Sequence, residues 1–144
     1  LSTAPEALRG VGLSRQKRAA LQDISQKRID GIIPLAKALT RLSDEQIIER
    51  LTAARGVGRW TVEMYLMFTL GRPDVLPIDD LGVRKGAEKL YRRSFTPKEL
   101  GAYGERWAPY RSAAAWHLWR IADTLTPEKA PVKKPASKKA AKRK

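Results

Sequence analysis

Residues 51 to 86, LTAARGVGRWTVEMYLMFTLGRPDVLPIDDLGVRKG, decide the fold of this chain. A Gly-Val-Gly turn at residues 56 to 58 separates two segments of helical pattern, and an Asp-Asp pair opens a third. Gly56 and Gly58 allow positive φ and let the backbone lie close to another surface. A helix N-terminus follows at residues 59 to 62, and its free amides suit an anion such as a phosphate. We therefore expect two helices joined by a phosphate-binding hairpin.

The segments upstream of the turn also carry helical patterns. A short helical piece, PEALRGVG, is expected to end at Gly10 and Gly12. Apolar spacing and caps predict three further helices: one from Ser14 with Ala20, Leu21 and Ile24; one with Pro34 in its first turn and Leu35, Leu39 and Leu42; and one with a capping box of Ser43 and Gln46 and apolar Ile47, Ile48 and Leu51. The last of these leads into the Gly-Val-Gly turn.

Downstream of the turn, residues 62 to 70 are apolar on nearly every side, which is typical of a helix buried at the centre of a bundle. Gly71 ends this helix, and Pro73 and Pro77 favour an extended connection. Three more helices are predicted: one marked by Val83, Ala87, Leu90 and Tyr91; one capped by Thr96, Pro97 and Glu99; and one opened by Pro109 that runs through Trp116, Trp119 and Ile121. We find no strand pattern and no repeat, so the predicted class is an all-α helical bundle.

Length and composition limit the remaining possibilities. The 144 residues predict one domain, which we assign to residues 1 to 127. The chain has no cysteine, which excludes disulfides, thiolate zinc sites and an iron–sulfur cluster. No apolar run reaches the length of a membrane span, and no leader pattern is present. We expect a soluble monomer that is cytoplasmic and nucleoid-associated, or nuclear if the source is eukaryotic.

The charge is strongly basic and unevenly distributed. The chain carries 29 Lys and Arg against 15 Asp and Glu, a net charge of +14. Residues 129 to 144, KAPVKKPASKKAAKRK, hold eight of the basic residues and no acid. Lys, Pro and Ala bury too little surface to offset the entropy of ordering, so residues 128 to 144 are predicted to form a disordered tail. This tail either contacts a polyanion without sequence readout or only keeps the chain soluble.

Three separated motifs carry a family resemblance: GVGRWT from residue 56, DVLPIDDLGVRK from residue 74, and RWAPYRS from residue 106. In this order and spacing they resemble the helix-hairpin-helix (HhH-GPD) superfamily of DNA glycosylases, and within it the 3-methyladenine DNA glycosylase II type. The resemblance covers about residues 5 to 120. It implies an enzyme of base excision repair that removes alkylated purines from double-stranded DNA by base flipping and hydrolysis of the N-glycosidic bond.

The resemblance also implies roles for particular residues. The catalytic carboxylate falls on Asp80, the second acid of the pair. The base pocket matches Trp60, Met64, Tyr65 and Trp119. The DNA backbone is held by the hairpin and a basic residue of the third motif: Gly56, Val57, Gly58, Arg59, Thr61 and Arg111. Family hairpins often hold a structural Na⁺ or K⁺ through backbone carbonyls, which here belong to Thr52, Ala54 and Val57, and no other cofactor is expected.

The chain departs from the family pattern at two points. Relatives that also nick the DNA strand carry a lysine nucleophile where this chain has Trp60, so we expect excision without lyase activity. Family domains also have further helices before the first matched residue, including the segment that wedges into the duplex. On that comparison we expect an incomplete copy of the domain, in which no wedge can be assigned.

The residue types suit the implied chemistry. Breaking an N-glycosidic bond builds positive charge on the sugar, and a fixed carboxylate such as Asp80 stabilises that charge and can orient the attacking water. The target base lies inside the duplex, so the nucleotide must rotate out into a pocket. The faces of Trp60 and Trp119 attract a positively charged alkylated purine by cation–π interaction.

Several of these residues also have a purely structural interpretation. An aspartate at a helix start is commonly an N-cap, and we expect that role for Asp79 rather than Asp80. Arg111 either pairs with an acid or contacts DNA. A non-catalytic helix-hairpin-helix module that only binds DNA is the alternative to a glycosylase. Because such a module gains nothing from carboxylates that face phosphates, the acid pair favours the enzyme.

The aromatic residues divide in the same way. Aromatic side chains on helices commonly belong to the core, which is our expectation for Trp116 and Tyr103 and an open alternative for Trp60 and Trp119. His117 is the only histidine, and we expect a structural or surface role for it because no partner acid or nucleophile is suggested.

Overall fold

The computed structural model of the protein describes residue 10 and residues 12 to 124. Regular structure in this part of the chain is entirely helical, which confirms the predicted all-α class. In chain order the elements are α1 (Arg15–Ile29), α2 (Ala36–Leu39), α3 (Asp44–Thr52), α4 (Arg59–Phe68), α5 (Leu81–Tyr91), α6 (Pro97–Gly104), a short 3-10 helix (Glu105–Trp107) and α7 (Arg111–Thr124). The predicted basic tail and most of the short helical piece before Gly12 lie outside the described residues. Among the described helices, none combines the length and the apolar character that crossing a bilayer requires.

Reciprocal polar caps begin α3 and α6, as predicted. The Oγ of Ser43 accepts a hydrogen bond from the Gln46 amide at 3.3 Å, and the Gln46 side chain accepts one from the Ser43 amide at 3.0 Å. Thr96 and Glu99 form the same capping box at the start of α6. Each box satisfies amides that the first helical turn leaves without a partner.

Two prolines lie before helices instead of in their first turns. Leu35 has extended backbone angles and is the N-cap of α2, so Pro34 precedes that helix. Pro109 follows a cis peptide bond and lies in a turn that the Tyr110 amide closes on the Trp107 carbonyl at 2.7 Å. Both predicted helices exist, but each begins later than expected because the residues after the proline form a cap or a turn first.

The buried side chains form two clusters. One lies between α2, α3, α4 and the segment that follows α4: Leu39, Ile47, Ile48, Val62, Leu66 and Val75. The other lies between α5, α6 and α7: Val83, Ala87, Phe95, Leu100, Ala115 and Leu118. Met67 on α4 packs against both clusters. The two groups of helices therefore meet along α4.

Helix α4 is buried on one side only. Val62, Glu63 and Leu66 are buried, whereas Trp60 is 48% exposed and Phe68 is 65% exposed. The expectation of a helix surrounded by the core was therefore wrong. The sequence is apolar on every side because the outer face of α4 carries exposed aromatic side chains. Residues 60, 64 and 68 follow one another at one-turn spacing along that outer face.

Helices α5 and α7 approach each other at a glycine. A Cβ on Gly86 would overlap the backbone carbonyl of Leu118, so the two helix backbones lie closer than any other residue would permit. A glycine inside a helix costs about 1 kcal/mol relative to alanine, which the closer packing of the two helices offsets. This contact fixes the position of Trp119, the residue after Leu118 on α7.

Candidate active site and phosphate-binding hairpin

Asp80 begins α5 as its N-cap. Its Oδ1 accepts a hydrogen bond from the Val83 amide at 2.8 Å. This overturns our expectation that Asp79 is the cap, because Asp79 is exposed and lies one residue too early to make the same bond. Two adjacent acids give the same sequence pattern, so only the geometry of the turn distinguishes them. Asp80 is thus a helix cap and also the candidate catalytic carboxylate.

Two tryptophan side chains donate hydrogen bonds to the Asp80 carboxylate. The Nε1 of Trp60, in the first turn of α4, lies 2.7 Å from Oδ2. The Nε1 of Trp119, on α7, lies 2.7 Å from Oδ1. Helices α4, α5 and α7 therefore meet at this carboxylate, and three donors hold its two oxygens in one orientation.

Hydrogen bonding keeps the Asp80 carboxylate charged. Partial burial alone would raise its pKa, but hydrogen bonds from the Val83 amide and from the indoles of Trp119 and Trp60 bring the pKa below the ordinary aspartate value. Among the described residues, no Lys or Arg forms an ion pair with this carboxylate. Asp80 therefore presents a negative charge at neutral pH that uncharged donors fix in place.

Gly82 leaves room for the indole of Trp119. A Cβ at Gly82 would lie 2.7 Å from Trp119 Cδ1 and 3.1 Å from Asp80 Oδ1, so a larger residue would push the indole off the carboxylate. Gly82 and Gly86 both face α7. Gly82 lies opposite the Trp119 side chain, and Gly86 lies opposite the Leu118 backbone. This role was not predicted from the sequence, although two glycines one turn apart inside a predicted helix are a signal of close packing.

The aromatic face of α4 continues beside Asp80. Phe68 stacks on Trp119, with ring centroids 5.9 Å apart and an interplanar angle of 26°. Met64 is half-buried and lies between Trp60 and Phe68 on the same face. Of the predicted pocket residues, the structure thus places Trp60 and Trp119 at the carboxylate and Met64 on the same face of α4. Phe68 was missed, although it lies two helical turns beyond Trp60.

Tyr65 lies on another side of α4. It packs against the buried cluster of α3 and α4, and it lines an apolar groove of about 190 Å³ with Ile24, Leu51 and Val57. Successive residues of a helix point about 100° apart, which separates Tyr65 from Met64. Tyr65 therefore does not share the face of Trp60 and Met64, and its place in the base pocket stays a prediction.

The two glycines of the hairpin between α3 and α4 have different roles. Gly56 has a φ of +78°, as predicted, and a Cβ there would lie 3.4 Å from the Cβ of Ala20. Gly58 has an ordinary φ of −92° and is the N-cap of α4, which corrects the expectation of positive φ at that position. No atom of the described chain lies within 4 Å of the place of a Gly58 Cβ. Gly58 therefore leaves the approach to the helix N-terminus open.

The free amides of this region lie at the start of α4. The Val57 amide donates a hydrogen bond to the Ala54 carbonyl at 3.1 Å within the turn. Contrary to the prediction for Val57, this amide is therefore not available to DNA. The Val62 amide makes the first intrahelical bond, to the Gly58 carbonyl at 3.2 Å. The amides of residues 59 to 61 therefore have no intrahelical acceptor, and they form the candidate phosphate site.

Both arginines that were predicted to contact DNA are held in ion pairs. Arg59 lies 2.6 Å from Glu45 and 3.0 Å from the buried Glu63. Arg111 makes a two-point pair with Asp74 at 2.7 and 2.8 Å, as one of our two interpretations of this residue expected. The two guanidinium groups line a cavity of about 240 Å³ that has both charged and apolar lining residues but does not include the candidate catalytic residue. The backbone amide of Arg59, and not its side chain, is therefore the candidate phosphate contact.

The remaining single-residue expectations have mixed outcomes. Tyr103 belongs to a half-buried cluster with three other aromatic rings, as expected of a core residue. The expectation for Trp116 was wrong, because its side chain is 47% exposed and carries the Arg120 guanidinium 5.0 Å above its ring. His117 is exposed and lies edge-on to Trp116, which agrees with a surface role.

Candidate metal ligands in this part of the chain are limited to backbone carbonyls. Within the described residues, no group of three or more His, Cys, Asp and Glu side chains is arranged to hold a metal ion. Thr52 is the last residue of α3, where carbonyls lack intrahelical donors. Ala54 and Val57 follow in the turn. Oxygen donors of this kind suit a hard cation, so the chemistry of the three predicted ligands fits an alkali ion.

Comparison with known proteins gives consistent matches. The family model of HhH-GPD superfamily base excision DNA repair proteins matches residues 2–109. The chain is 44% identical over 127 residues to DNA-3-methyladenine glycosylase 1 of Schizosaccharomyces pombe, covering 85% of this chain and 56% of the relative. A solved structure of the 3-methyladenine DNA glycosylase of that organism in complex with abasic DNA aligns with a TM-score of 0.73 at 44% identity, covering 82% of this chain and 58% of the other.

A second solved structure, DNA-3-methyladenine glycosidase from Bacillus halodurans, aligns with a TM-score of 0.78 at 37% identity. That alignment covers 85% of this chain and 57% of the other. The chain thus spans a little over half the length of these relatives.

Proposed function

Because this chain belongs to the HhH-GPD superfamily of base excision DNA repair proteins, we propose that it is a DNA glycosylase that excises alkylated purines of the 3-methyladenine type from duplex DNA. The observation that carries the proposal is the Asp80 carboxylate, which three donors hold beside the exposed aromatic side chains of Trp60 and Phe68. Capping α5 requires only one of these three hydrogen bonds. The two indole bonds are therefore best explained by a need for a charge of fixed orientation.

Asp80 stabilises the transition state of base release. As the N-glycosidic bond breaks, positive charge develops on the sugar, and a preorganised carboxylate offsets that charge without having to reorient. The same carboxylate can orient the attacking water and accept its proton. Trp60 and Trp119 donate hydrogen bonds but carry no charge of their own. They therefore position the carboxylate without cancelling the electrostatic attraction that base release requires.

The aromatic face of α4 receives the flipped base. Trp60 and Phe68 are both about half exposed or more, and together with Trp119 they offer ring surface next to the carboxylate. An alkylated purine often carries a positive charge, which aromatic rings attract. A damaged base is also easier to extract from the stack than an intact one. Selection of the lesion then rests on its charge and its weak pairing.

The hairpin holds the DNA backbone at the start of α4. A phosphate accepts hydrogen bonds from the amides of residues 59 to 61 and is attracted by the positive end of the helix dipole. Double-stranded DNA is the partner that this site suits, in line with the relative from S. pombe whose structure contains abasic DNA. A Na⁺ or K⁺ held by the carbonyls of Thr52, Ala54 and Val57 would add positive charge to the hairpin.

The enzyme excises the base without cutting the strand. A lyase step needs an amine nucleophile, and the family position of that amine is occupied by Trp60. An indole nitrogen cannot replace it, because its lone pair belongs to the ring and its hydrogen is donated to Asp80. The product is then an abasic site in an intact strand.

Replacing Asp80 with asparagine tests this proposal. Asp80→Asn keeps an oxygen that can cap α5 but removes the negative charge, so base release should slow by about 10²-fold or more. The measurement is single-turnover release of an alkylated base from duplex DNA at saturating protein. Asp79→Asn is the matched control, since Asp79 is exposed and does not cap the helix. Undiminished release by the Asp80→Asn protein would refute the glycosylase proposal.

A further inference from the structure

We propose that Asp23, on α1, is a positioning residue for DNA binding: it holds the hairpin turn in the conformation that presents the amides of residues 59 to 61 to a phosphate. The proposal rests on the DNA-binding part of the function proposed above. It concerns a helix that contributes no group to the site around Asp80 and that the predicted site residues did not include.

A single carboxylate joins α1 to the hairpin. Oδ2 of Asp23 accepts a hydrogen bond from the backbone amide of Arg55 at 2.6 Å, although the two residues lie 32 positions apart in the chain. Oδ1 accepts a second bond from Nζ of Lys27 at 2.6 Å. Arg55 directly precedes Gly56, the residue of the turn with positive φ. Asp23 therefore binds the backbone of the turn at the point where the chain changes direction.

The rest of the contact between α1 and the hairpin is slight. No residue of α1 is fully buried. Ala20 lies against Gly56, and Ile24 lines the apolar groove of about 190 Å³ that also borders Val57. Because this groove is unfilled, apolar packing does little to fix the hairpin relative to α1. The hydrogen bond that the charged Asp23 carboxylate accepts from the Arg55 amide is thus a specific contact of this interface.

Asp23 also determines which amides of the turn remain available. The Arg55 amide is bound by Asp23, and the Val57 amide by the Ala54 carbonyl. Both of these amides therefore face the protein and not a DNA phosphate. Without Asp23 the Arg55 amide would lose this acceptor, and the glycine beside it would be free to take other conformations.

A carboxylate close to a phosphate site would ordinarily weaken binding. Here the Arg55 amide and then the Lys27 side chain lower the pKa of Asp23, so it stays charged, and the ammonium at 2.6 Å balances that charge. The repulsion of a phosphate is thereby reduced but not abolished. Asp23 therefore has two opposed effects on phosphate affinity. Its hydrogen bond to the turn raises the affinity and its negative charge lowers it, and different substitutions separate the two effects.

Asp23→Leu and Asp23→Asn are the two informative variants. Leucine has a similar shape but no acceptor, so affinity for a duplex with a stable abasic-site analogue should fall by about fivefold to tenfold. Asparagine keeps an oxygen for the Arg55 amide and removes the negative charge, so affinity should equal or exceed that of the wild type. Lys27→Met is the control that leaves the hydrogen bond to Arg55 in place, and its affinity should decrease only slightly.

Hydrogen exchange of the Arg55 amide in the DNA-free protein reports the hydrogen bond itself. Exchange should accelerate in Asp23→Leu and remain slow in Asp23→Asn and Lys27→Met, while amides within α5 keep their protection in all three. Single-turnover base release at saturating protein should stay near the wild-type rate, because the surroundings of Asp80 are unchanged. The Asp23→Leu substitution then impairs DNA binding and not the chemical step.

The outcomes distinguish the two proposals. Unchanged affinity in Asp23→Leu, or an equal loss in Asp23→Leu and Asp23→Asn, overturns the role of Asp23 and leaves the glycosylase proposal standing. If the amides of α5 also lose protection in Asp23→Leu, that variant is globally unstable, and Asp23→Asn becomes the deciding variant. Slow exchange of the Arg55 amide together with wild-type affinity in Asp23→Asn supports the proposal, and loss of both overturns it. A wild-type protein that does not bind the abasic duplex contradicts the DNA-binding function itself.

Discussion

The charge of Asp80 is set by neutral donors. A lysine or arginine in the place of Trp60 would also keep the carboxylate ionised, but its positive charge would oppose the attraction of the developing cation on the sugar. An indole N–H gives orientation and a low pKa without that opposing charge. Trp60 therefore has two functions in the proposed mechanism, as a donor to Asp80 and as an aromatic surface for the base.

Trp60→Phe should separate these two functions through the pH dependence of base release. The activity requires the ionised carboxylate, so it is present above the pKa of Asp80 and lost as the pH falls through it. Removing one donor raises that pKa, and the acid limb of the pH–rate profile should move to higher pH. Phenylalanine keeps a ring for the base. The profile is measured by single-turnover release between about pH 4 and pH 8.

Trp116→Phe is the control for this measurement, because Trp116 is an exposed tryptophan of α7 whose ring lies near His117 and Arg120. Its acid limb should coincide with that of the wild type. Coincident acid limbs in the Trp60→Phe and wild-type proteins would show that the Trp60 donor does not tune Asp80.

Helix α4 brings the backbone contact and the chemistry into one turn. Its first residues provide the free amides of the candidate phosphate site, and the side chain of Trp60 in the same turn reaches Asp80. Because a helical turn is rigid, a phosphate bound at the N-terminus has a fixed distance to the carboxylate. In the proposed mechanism, the position of the flipped nucleotide then follows from the position of its backbone.

The two hairpin glycines should respond differently to alanine. Gly56→Ala places a side chain at a φ of +78°, which should cost about 1 to 2 kcal/mol of unfolding free energy. Gly58→Ala meets open space at an ordinary φ, so its unfolding free energy should be nearly unchanged. Its methyl group lies at the approach to the free amides, and affinity for an abasic duplex should fall severalfold. Urea unfolding and DNA titration give the two quantities. Wild-type affinity in Gly58→Ala would place the phosphate elsewhere.

Patterns along the sequence could predict the elements of this fold. The reciprocal caps of α3 and α6 depend on residues three apart, so they are visible in the sequence. The one-turn spacing of Trp60, Met64 and Phe68 was equally visible. The apolar run of residues 62 to 70 led to the wrong expectation of a helix buried on all sides, because apolar content does not show whether a face is covered.

Contacts between distant segments could not be predicted in this way. The hydrogen bond from the Arg55 amide to the Asp23 carboxylate involves a backbone group that has no sequence signature. The choice between Asp79 and Asp80 depends on where the turn before α5 begins. Likewise the pairing of Arg59 with Glu45 and Glu63 could not be predicted, since the sequence shows a charge but not its partner.

The two groups of helices are joined by polar links as well as by α4. Arg111 at the start of α7 pairs with Asp74 in the segment that follows α4. The Oγ of Ser112 donates to the Arg72 carbonyl at 2.7 Å and accepts from the Val75 amide at 3.0 Å. These bonds hold α7, and with it Trp119, against the part of the molecule that carries the hairpin. The relative position of the two sites therefore depends on this junction.

The stability of the junction should depend on pH through Asp74. Hydrogen bonds from Arg111 lower the pKa of Asp74 below its ordinary value of 3.8. A lowered pKa adds stability that is fully present above the ordinary value and is lost as the pH falls through the folded-state value. The wild type should therefore exceed Asp74→Asn in unfolding free energy by a constant amount from about pH 7 to pH 5, and by less below about pH 4.

Urea unfolding at a series of pH values measures this difference. The effect should be modest, because the Asp74 side chain is 30% exposed and solvent screens the pair. Asp123→Asn, at an exposed position of α7, is the control and should show little change. A difference that grows toward acid pH would assign the stabilisation to another group.

The N-cap bond of Asp80 has a consequence for inherited variation. Aspartate becomes asparagine by a single nucleotide change, and asparagine caps helices about as well as aspartate. This substitution at position 80 therefore spares the fold, so cellular quality control that removes unfolded chains would not remove the variant protein. Under the function proposed above, such a molecule would keep its fold and its contact with DNA while losing the charge that base release requires.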